Sequence, residues 1–233
     1  MKRLLDKLFA NTERRLSNVC FGQEGEDLIL DRLMGGKTKG FYVDIGAHHP
    51  IRFSNTYLFS KRGWHGINVD AEPGSMALFR KMRPRDINIE SGVGERAGTM
   101  LFYRFNEPAL NTFDEKEAAL KNQPPYHIVE RVTVSVMRLD QILRMHLTEI
   151  SEIDFLSVDT EGMDLEVLKS NDWSCFRPRF VLAEILRTTI MELAESPIGR
   201  LLGDVGYAPV AKTYNTTFFM RRDLDSCVAG NSQ

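Results

Sequence analysis

Three short apolar runs carry an acid at or near their C-terminal end: "FYVDIG" (41–46), "HGINVDA" (65–71) and "IDFLSVD" (153–159). Runs of this length suit buried strands rather than helices. Each is followed by a helical stretch. The first runs near 54–61 and is ended by Gly63; the second is "MALFRKMR" (76–83), closed by Pro84; the third is "MDLEVLKSN" (163–171). Strands that alternate with helices fold as a parallel sheet with crossover helices on its faces. The α/β class follows from that alternation alone.

The remaining segments extend the pattern. "INIESGV" (87–93) reads as a third strand, and "TMLFYRF" (99–105) and "RVTVSVMRL" (131–139) as further strands around a loop. "RFVLAEI" (179–185) reads as another buried strand and "IMELAES" (190–196) as a helix. "YAPVAK" (207–212) and "NTTFFMRR" (215–222) form a closing hairpin that turns near Asn215. The longest irregular region is 106–130, with Pro108, Pro124 and Pro125. Loops of that length inside a compact domain are usually functional or disordered. It is read as a lid or substrate loop, with a solvated insertion as the alternative. No internal repeat or low-complexity segment is present.

At 233 residues the chain fits one domain with a full core. Thirty basic and 32 acidic residues leave a formal charge of −2, so no overall field gathers nucleic acid. Cys20, Cys175 and Cys227 have no metal-ligand spacing, and an odd count without a framework points to a reduced, cytoplasmic chain. No apolar run approaches the ~18 residues of a membrane span. The N-terminal "MKRLLDKLFANTERRL" lacks the apolar core of a signal peptide because Asp6 and Lys7 interrupt it. Leu4, Leu5, Leu8 and Phe9 define one face of a short helix, expected to pack on the domain. A basic amphipathic helix of this kind also suits peripheral contact with an anionic membrane.

The turn after the first strand narrows the ligand. A dinucleotide site needs G-x-G-x-x-G so that backbone can approach a pyrophosphate. Here Gly46 stands alone, followed by Ala47, His48, His49 and Pro50, and no P-loop is present. A ligand without phosphates, such as S-adenosylmethionine, needs less from the turn. Asp44 would serve its ammonium or organise the turn. A ribose acceptor belongs at the end of the second strand, about 20 residues further on. Asp70 and Glu72 stand there, two residues apart on an extended chain, so both can face one crevice. His48 would contact the methionine end; a joint metal role with His49 is disfavoured because adjacent side chains point apart. Ser54 and Asn55 open the next helix, where amide donors suit a carboxylate. With Gly46, Ala47 and Ser91 at the strand ends, these residues form the expected cofactor set.

"GQEGEDLIL" (22–30), "FYVDIGAHHPIRFSNTYLF" (41–59), "GWHGINVDAEPGSM" (63–76), "DINIESGVGERAGTMLFY" (86–103) and "IDFLSVDTEGMDLEVLKSNDW" (153–173) together resemble the FkbM family of S-adenosylmethionine-dependent methyltransferases. The last motif is the most specific. The resemblance runs from about Phe21 to Arg222. It implies a single-domain, Rossmann-like class I methyltransferase fold, doubly wound, with a seven-stranded, mostly parallel sheet and an antiparallel last strand. Residues 1–20 would be a helical extension, 21–222 the domain and 223–233 a tail. It implies O-methylation, commonly of sugar hydroxyls in polysaccharides or glycosylated metabolites. One departure stands out: many members carry Gly-Ala-Asn where this chain has Gly46, Ala47, His48, His49 and Pro50.

The acidic turn "VDTEG" (158–162) lies where an open α/β sheet places its crevice. Asp159 is read as the base or orienting group for an acceptor hydroxyl, with Glu161 on the same side. Alternatively the two bind Mg²⁺, with Glu184 joining them; a structural polar turn is the third reading. Asp164, in the first helical turn, is read as structural. His127, in the long loop, is a second candidate base. Two rivals stand beside the enzyme reading: a nucleotide-sugar-modifying enzyme, against which the missing glycines weigh, and a non-catalytic binding module, against which the intact acids weigh. The sequence leaves the oligomeric state open.

Overall fold

The computed structural model describes residues 18–147 and 152–224. The expected N-terminal helix and most of the tail lie outside these residues. β1 (Phe41–Ile45) is buried along its whole length. β2 (His65–Asp70) and β7 (Phe155–Val158) pair with it in parallel on either side. β3 (Ile87–Glu90) and β8 (Phe180–Glu184) extend the sheet outward, also in parallel. β9 (Tyr207–Lys212) and β10 (Thr216–Arg221) form the expected hairpin. The sheet has seven strands in the order β3-β2-β1-β7-β8-β10-β9, and β10 runs antiparallel to both neighbours. The chain leaves β1 toward β2 and β3, then returns to β7 on the other side. β1 is therefore the switch point at which a doubly wound sheet opens its crevice.

Residue alternation along β1 explains the two layers. Phe41, Val43 and Ile45 face one side with Ile142, Val167 and Leu202. Those partners come from α5 (Leu139–His146), α6 (Asp164–Lys169) and α7 (Pro197–Asp204). Tyr42 faces the other side with Leu30, Phe59, Trp64 and Phe155. Leu30 and Phe59 belong to α1 (Glu26–Leu33) and α2 (Tyr57–Lys61). The period of two along a strand buried on both faces requires this double coat.

Four expectations need correction. "INIESGV" is not one strand: β3 stops at Glu90, and β4 (Gly92–Val93) belongs to a second sheet. That sheet has the order β4-β6-β5, with β5 (Gly98–Phe105) antiparallel to β6 (Ile128–Met137). Ser91 is the joint; its N–H donates to Asp70 O on the large sheet, and its hydroxyl donates to Ser135 O on the small one. The region 106–130 is not irregular. It holds a 3₁₀ turn (Pro108–Leu110) and a helix, α4 (Glu115–Lys121), capped by Asp114 Oδ1, which accepts from Lys116 N at 2.7 Å and Glu117 N at 3.0 Å. Its prolines bracket the helix instead of interrupting it. The helix after β1 starts only at Tyr57, whose N–H donates to the Ser54 hydroxyl at 3.2 Å. "IMELAE" is a 3₁₀ turn; the α-helix begins at Pro197, where Ser196 Oγ accepts from Gly199 N. Among the described residues no helix is long and apolar enough to cross a membrane.

Candidate active site

Three strand ends converge beside β1. At Gly46 φ is +80°, and a Cβ there would lie 1.7 Å from the Asp159 carbonyl oxygen. Only glycine lets the turns after β1 and β7 touch. The N–H groups of Gly46 and Ala47 both donate to Val69 O, at 2.9 and 3.1 Å. Asp70 completes the knot: Oδ2 accepts from His48 N and Oδ1 from Glu72 N, both at 2.8 Å. Burial raises the Asp70 pKa, and these two bonds oppose the shift.

Against this knot lies a cavity of about 450 Å³. Of the expected cofactor residues, Gly46, His48, Asp70, Glu72 and Ser91 line it, and Asp159 and Glu161 close one end. Phe53, Leu78, Val93 and Phe102 supply apolar wall. Glu72 is held by side chains the sequence reading missed. Arg104 Nε donates to its two oxygens at 3.0 and 2.9 Å, and Asn111 Nδ2 donates to Oε2 at 3.0 Å. Nothing in an alternating strand marks Arg104 as a site residue. Arg52 pairs with Glu107 at 2.9 Å, tying the loop after β1 to the turn at Pro108. The region 106–130 therefore does reach the site, as a folded element.

The two histidines separate. His48 has φ +52° and stacks on Phe53; burial and then Arg52 lower its pKa, and its Nε2 is buried without a partner. His49 Nδ1 accepts from Ile51 N and Arg52 N, both at 3.0 Å, and shapes the loop. Three expected residues stand behind the wall. Ala47 packs on Met76 and Phe79. Asn55 donates to Ser157 Oγ at 3.1 Å. Asp44 accepts from Thr56 Oγ1 at 2.9 Å, and burial pushes its pKa up to about 6 against the pull of Arg83. Arg83 is buried and donates to Ser54 Oγ at 2.8 Å, Thr56 Oγ1 at 2.7 Å and the Pro50 carbonyl. It fixes the loop from beneath.

The acids after β7 differ among themselves. Asp164 accepts from Thr160 Oγ1 at 3.2 Å and from the backbone N–H of Glu184 at 3.3 Å; burial raises it to about 7. Glu161 pairs with Lys121, and its carbonyl accepts from Thr112 Oγ1 at 2.7 Å, which holds it at φ +53°. The Asp159 carboxyl makes no hydrogen bond with the described residues. Burial drives its pKa well up, reinforced by Glu184, Glu161, Asp164 and Asp44. Glu184 is likewise unpartnered and raised, by burial and then by Glu161 and Asp164. Among the described residues no three His, Cys, Asp or Glu side chains group as a metal site. His127 is exposed and lines neither this cavity nor its neighbour. Its N–H donates to Asn106 Oδ1.

The domain profile described as the methyltransferase FkbM domain matches residues 44–198, more than half of the chain. The protein belongs to the FkbM methyltransferase family. Solved structures similar to this FkbM chain include an FkbM methyltransferase from Methylobacillus flagellatus, at 11% identity and TM-score 0.44, covering 78% of this chain and 44% of that one. The chain thus spans under half the length of that protein. A TehB-like S-adenosylmethionine-dependent methyltransferase from Corynebacterium glutamicum gives 10% identity and TM-score 0.40, over 94% and 97% of the two chains. A protein described as an RNA methyltransferase, from Pyrococcus horikoshii, gives 11% and 0.42, over 90% and 83%. No curated protein sequence matches significantly. The family uses S-adenosylmethionine, and the cavity fits it. The room suits a nucleoside with its side chain, the apolar wall a ring, the Glu72 carboxylate two ribose hydroxyls, and the orphaned His48 Nε2 a polar group.

Proposed function

We propose that this FkbM protein moves the methyl group of S-adenosylmethionine to a hydroxyl of a sugar-containing acceptor, with Asp159 as the base. The observation that carries this reading is the unpartnered Asp159 carboxyl at the end of the cavity. Asp159 is half-buried at the cavity wall and takes no donor from the described residues, so its carboxyl is open to a ligand. A raised pKa makes it a stronger proton acceptor once ionised, better matched to a hydroxyl than an ordinary carboxylate.

When bound, S-adenosylmethionine supplies an electrophilic sulfonium methyl and departs as a neutral thioether. Glu72, oriented by Arg104 and Asn111, takes the ribose hydroxyls. Asp70 spends both oxygens on backbone and holds the turn that carries His48. Asp159 accepts the hydroxyl proton as the acceptor oxygen forms its bond to the methyl carbon. Glu161, clamped by Lys121, fixes the turn that carries Asp159. Cys20 and Cys175 are exposed and free among the described residues, which suits a reducing compartment such as the cytoplasm. The test is incubation with isotope-labelled S-adenosylmethionine and sugar-containing acceptors. Label recovered as an O-methyl group supports the reading; label on nitrogen or on RNA refutes it.

A further inference from the structure

The segment "GQEGED" (22–27), ahead of β1, lies outside the residues 44–198 that the domain profile matches. With Phe21 it forms a strap between the loop after β1 and the β9–β10 hairpin. Phe21 O accepts from Ser54 N at 2.9 Å, and Glu24 Oε2 accepts from Asn215 N at 3.0 Å. Two buried acids pin the strap from beneath: Asp27 Oδ2 accepts from Phe21 N and Glu26 Oε2 from Glu24 N, both at 2.8 Å. The carboxyls of the strap are thus spent on its own shape. Gln23 is the exception. It is exposed, it lines the cavity, and its amide makes no hydrogen bond with the described residues.

The amino-acid end of S-adenosylmethionine is a zwitterion, and its carboxylate needs donors. The backbone around the turn has few to give. The N–H groups of Gly46 and Ala47 go to Val69 O, that of His48 to Asp70 and that of His49 to Ala47 O. Pro50 has none, and Ile51 and Arg52 donate to His49 Nδ1. The Ser54 N–H, which its place ahead of a helix would offer to a carboxylate, goes to the strap. After β7, Asp159 N donates to Ile45 O and Thr160 N to Asp164. Arg52, the one Arg or Lys that lines the cavity, is paired with Glu107.

Resting on the reading that this cavity holds S-adenosylmethionine, we infer that Gln23 binds the amino-acid end of the cofactor, with Nε2 donating to the carboxylate. Its amide replaces the backbone donors that the turn has spent on the frame. A neutral amide can donate to the carboxylate and accept from the ammonium without adding charge near the sulfonium. The strap is fixed on both sides of Gln23, so little ordering is left to be done on binding. Glu72 stands on the β2 side of β1 and the strap ties to the β10 side, so the two residues grip the cofactor at opposite ends.

The experiment titrates the full chain by calorimetry with S-adenosylhomocysteine and with methylthioadenosine, which keeps the nucleoside and lacks the amino acid. Gln23→Ala should weaken S-adenosylhomocysteine about tenfold, the loss of one hydrogen bond to a charged group, and leave methylthioadenosine within about twofold. Gln23→Glu sets like charge against the carboxylate; it should weaken S-adenosylhomocysteine further and again spare methylthioadenosine. Equal losses for the two ligands would assign Gln23 to the frame, and an unchanged affinity for S-adenosylhomocysteine would assign the carboxylate to Arg52; either result overturns the inference. A wild-type chain that binds neither ligand counts against the cofactor cavity itself and removes the inference with it.

Discussion

Asp70 and Asp159 stand at the ends of the strands that flank β1 and face the same cavity, yet they are treated in opposite ways. Each Asp70 oxygen accepts a backbone N–H, and burial is opposed by those bonds. Asp159 accepts none, and four further acids deepen the effect of burial. The first carboxyl is part of the frame: it satisfies donors that would otherwise be orphaned, so it stabilises the turn it sits in. The second carries no such bonds, which is what the base proposed for methyl transfer requires. The contrast sets a carboxyl tied into the frame against one left free within one crevice.

The largest effect should come from removing the reactive member. Asp159→Asn should lower turnover by roughly 10²–10⁴, with affinity for S-adenosylhomocysteine within a few-fold of wild type by calorimetry. Near-normal turnover would end the contrast. Asp70→Ala should act on stability: each of the two N–H groups left without an acceptor costs about 1–3 kcal/mol, read by urea denaturation. An unchanged midpoint would mean the knot does not need its carboxylate. Glu72→Ala loses a charge-assisted bond pair to the ribose and should weaken cofactor binding tenfold or more. The same denaturation series sharpens the comparison from the other side. Asp159→Asn relieves like charge and should gain about 0.5–2 kcal/mol above neutral pH; a loss would show that the carboxyl is structural after all. The last effect concerns pH. Asp164 is raised from 3.8 to about 7, so between those values the folded chain holds a proton that the unfolded chain has released. Its contribution to stability is therefore present at low pH and is lost as pH rises through about 7. Asp164→Asn should flatten that fall, and a slope equal to wild type would place the titration elsewhere.

How much of this was legible in the sequence differs by element. β1, β2, β7 and β8 are continuous apolar runs because helices cover both faces, and no other fold class uses such strands in alternation with helices. The acids at their ends were legible too, since the crevice of a doubly wound sheet has a fixed place. α4 was not: only Ala118 among its residues is buried, so it lacks an apolar stripe, and the flanking prolines read as loop. The break at Ser91 was hidden because β3 and β4 carry one continuous strand pattern while belonging to different sheets. Asp159 was read as the candidate base from its place after a buried strand, but its contrast with Asp70 was not legible. Asp70 and Asp159 look alike in sequence, and their difference lies in hydrogen bonds supplied by His48 and Glu72 or withheld. Lys121 reaches Glu161 across 40 positions, a pairing no local pattern encodes.

The small sheet leaves and rejoins the large one at a single place. Val93 pairs with Met137, and Gly94 N donates to Met137 O at 3.0 Å, so the segment between them begins and ends side by side. An inserted segment whose ends already meet can be lengthened or exchanged at little closure cost to its host. This one carries Asn111, Phe113, Glu117 and Lys121, walls of the cavity and of its neighbour, while Gly46, Asp70 and Asp159 remain with the host. In evolutionary terms it is a cassette. A replacement for residues 92–137 would keep the host turns intact only if it again supplied partners for Glu72 and Glu161, as Arg104, Asn111, Thr112 and Lys121 do here, and an engineer could attempt such a graft.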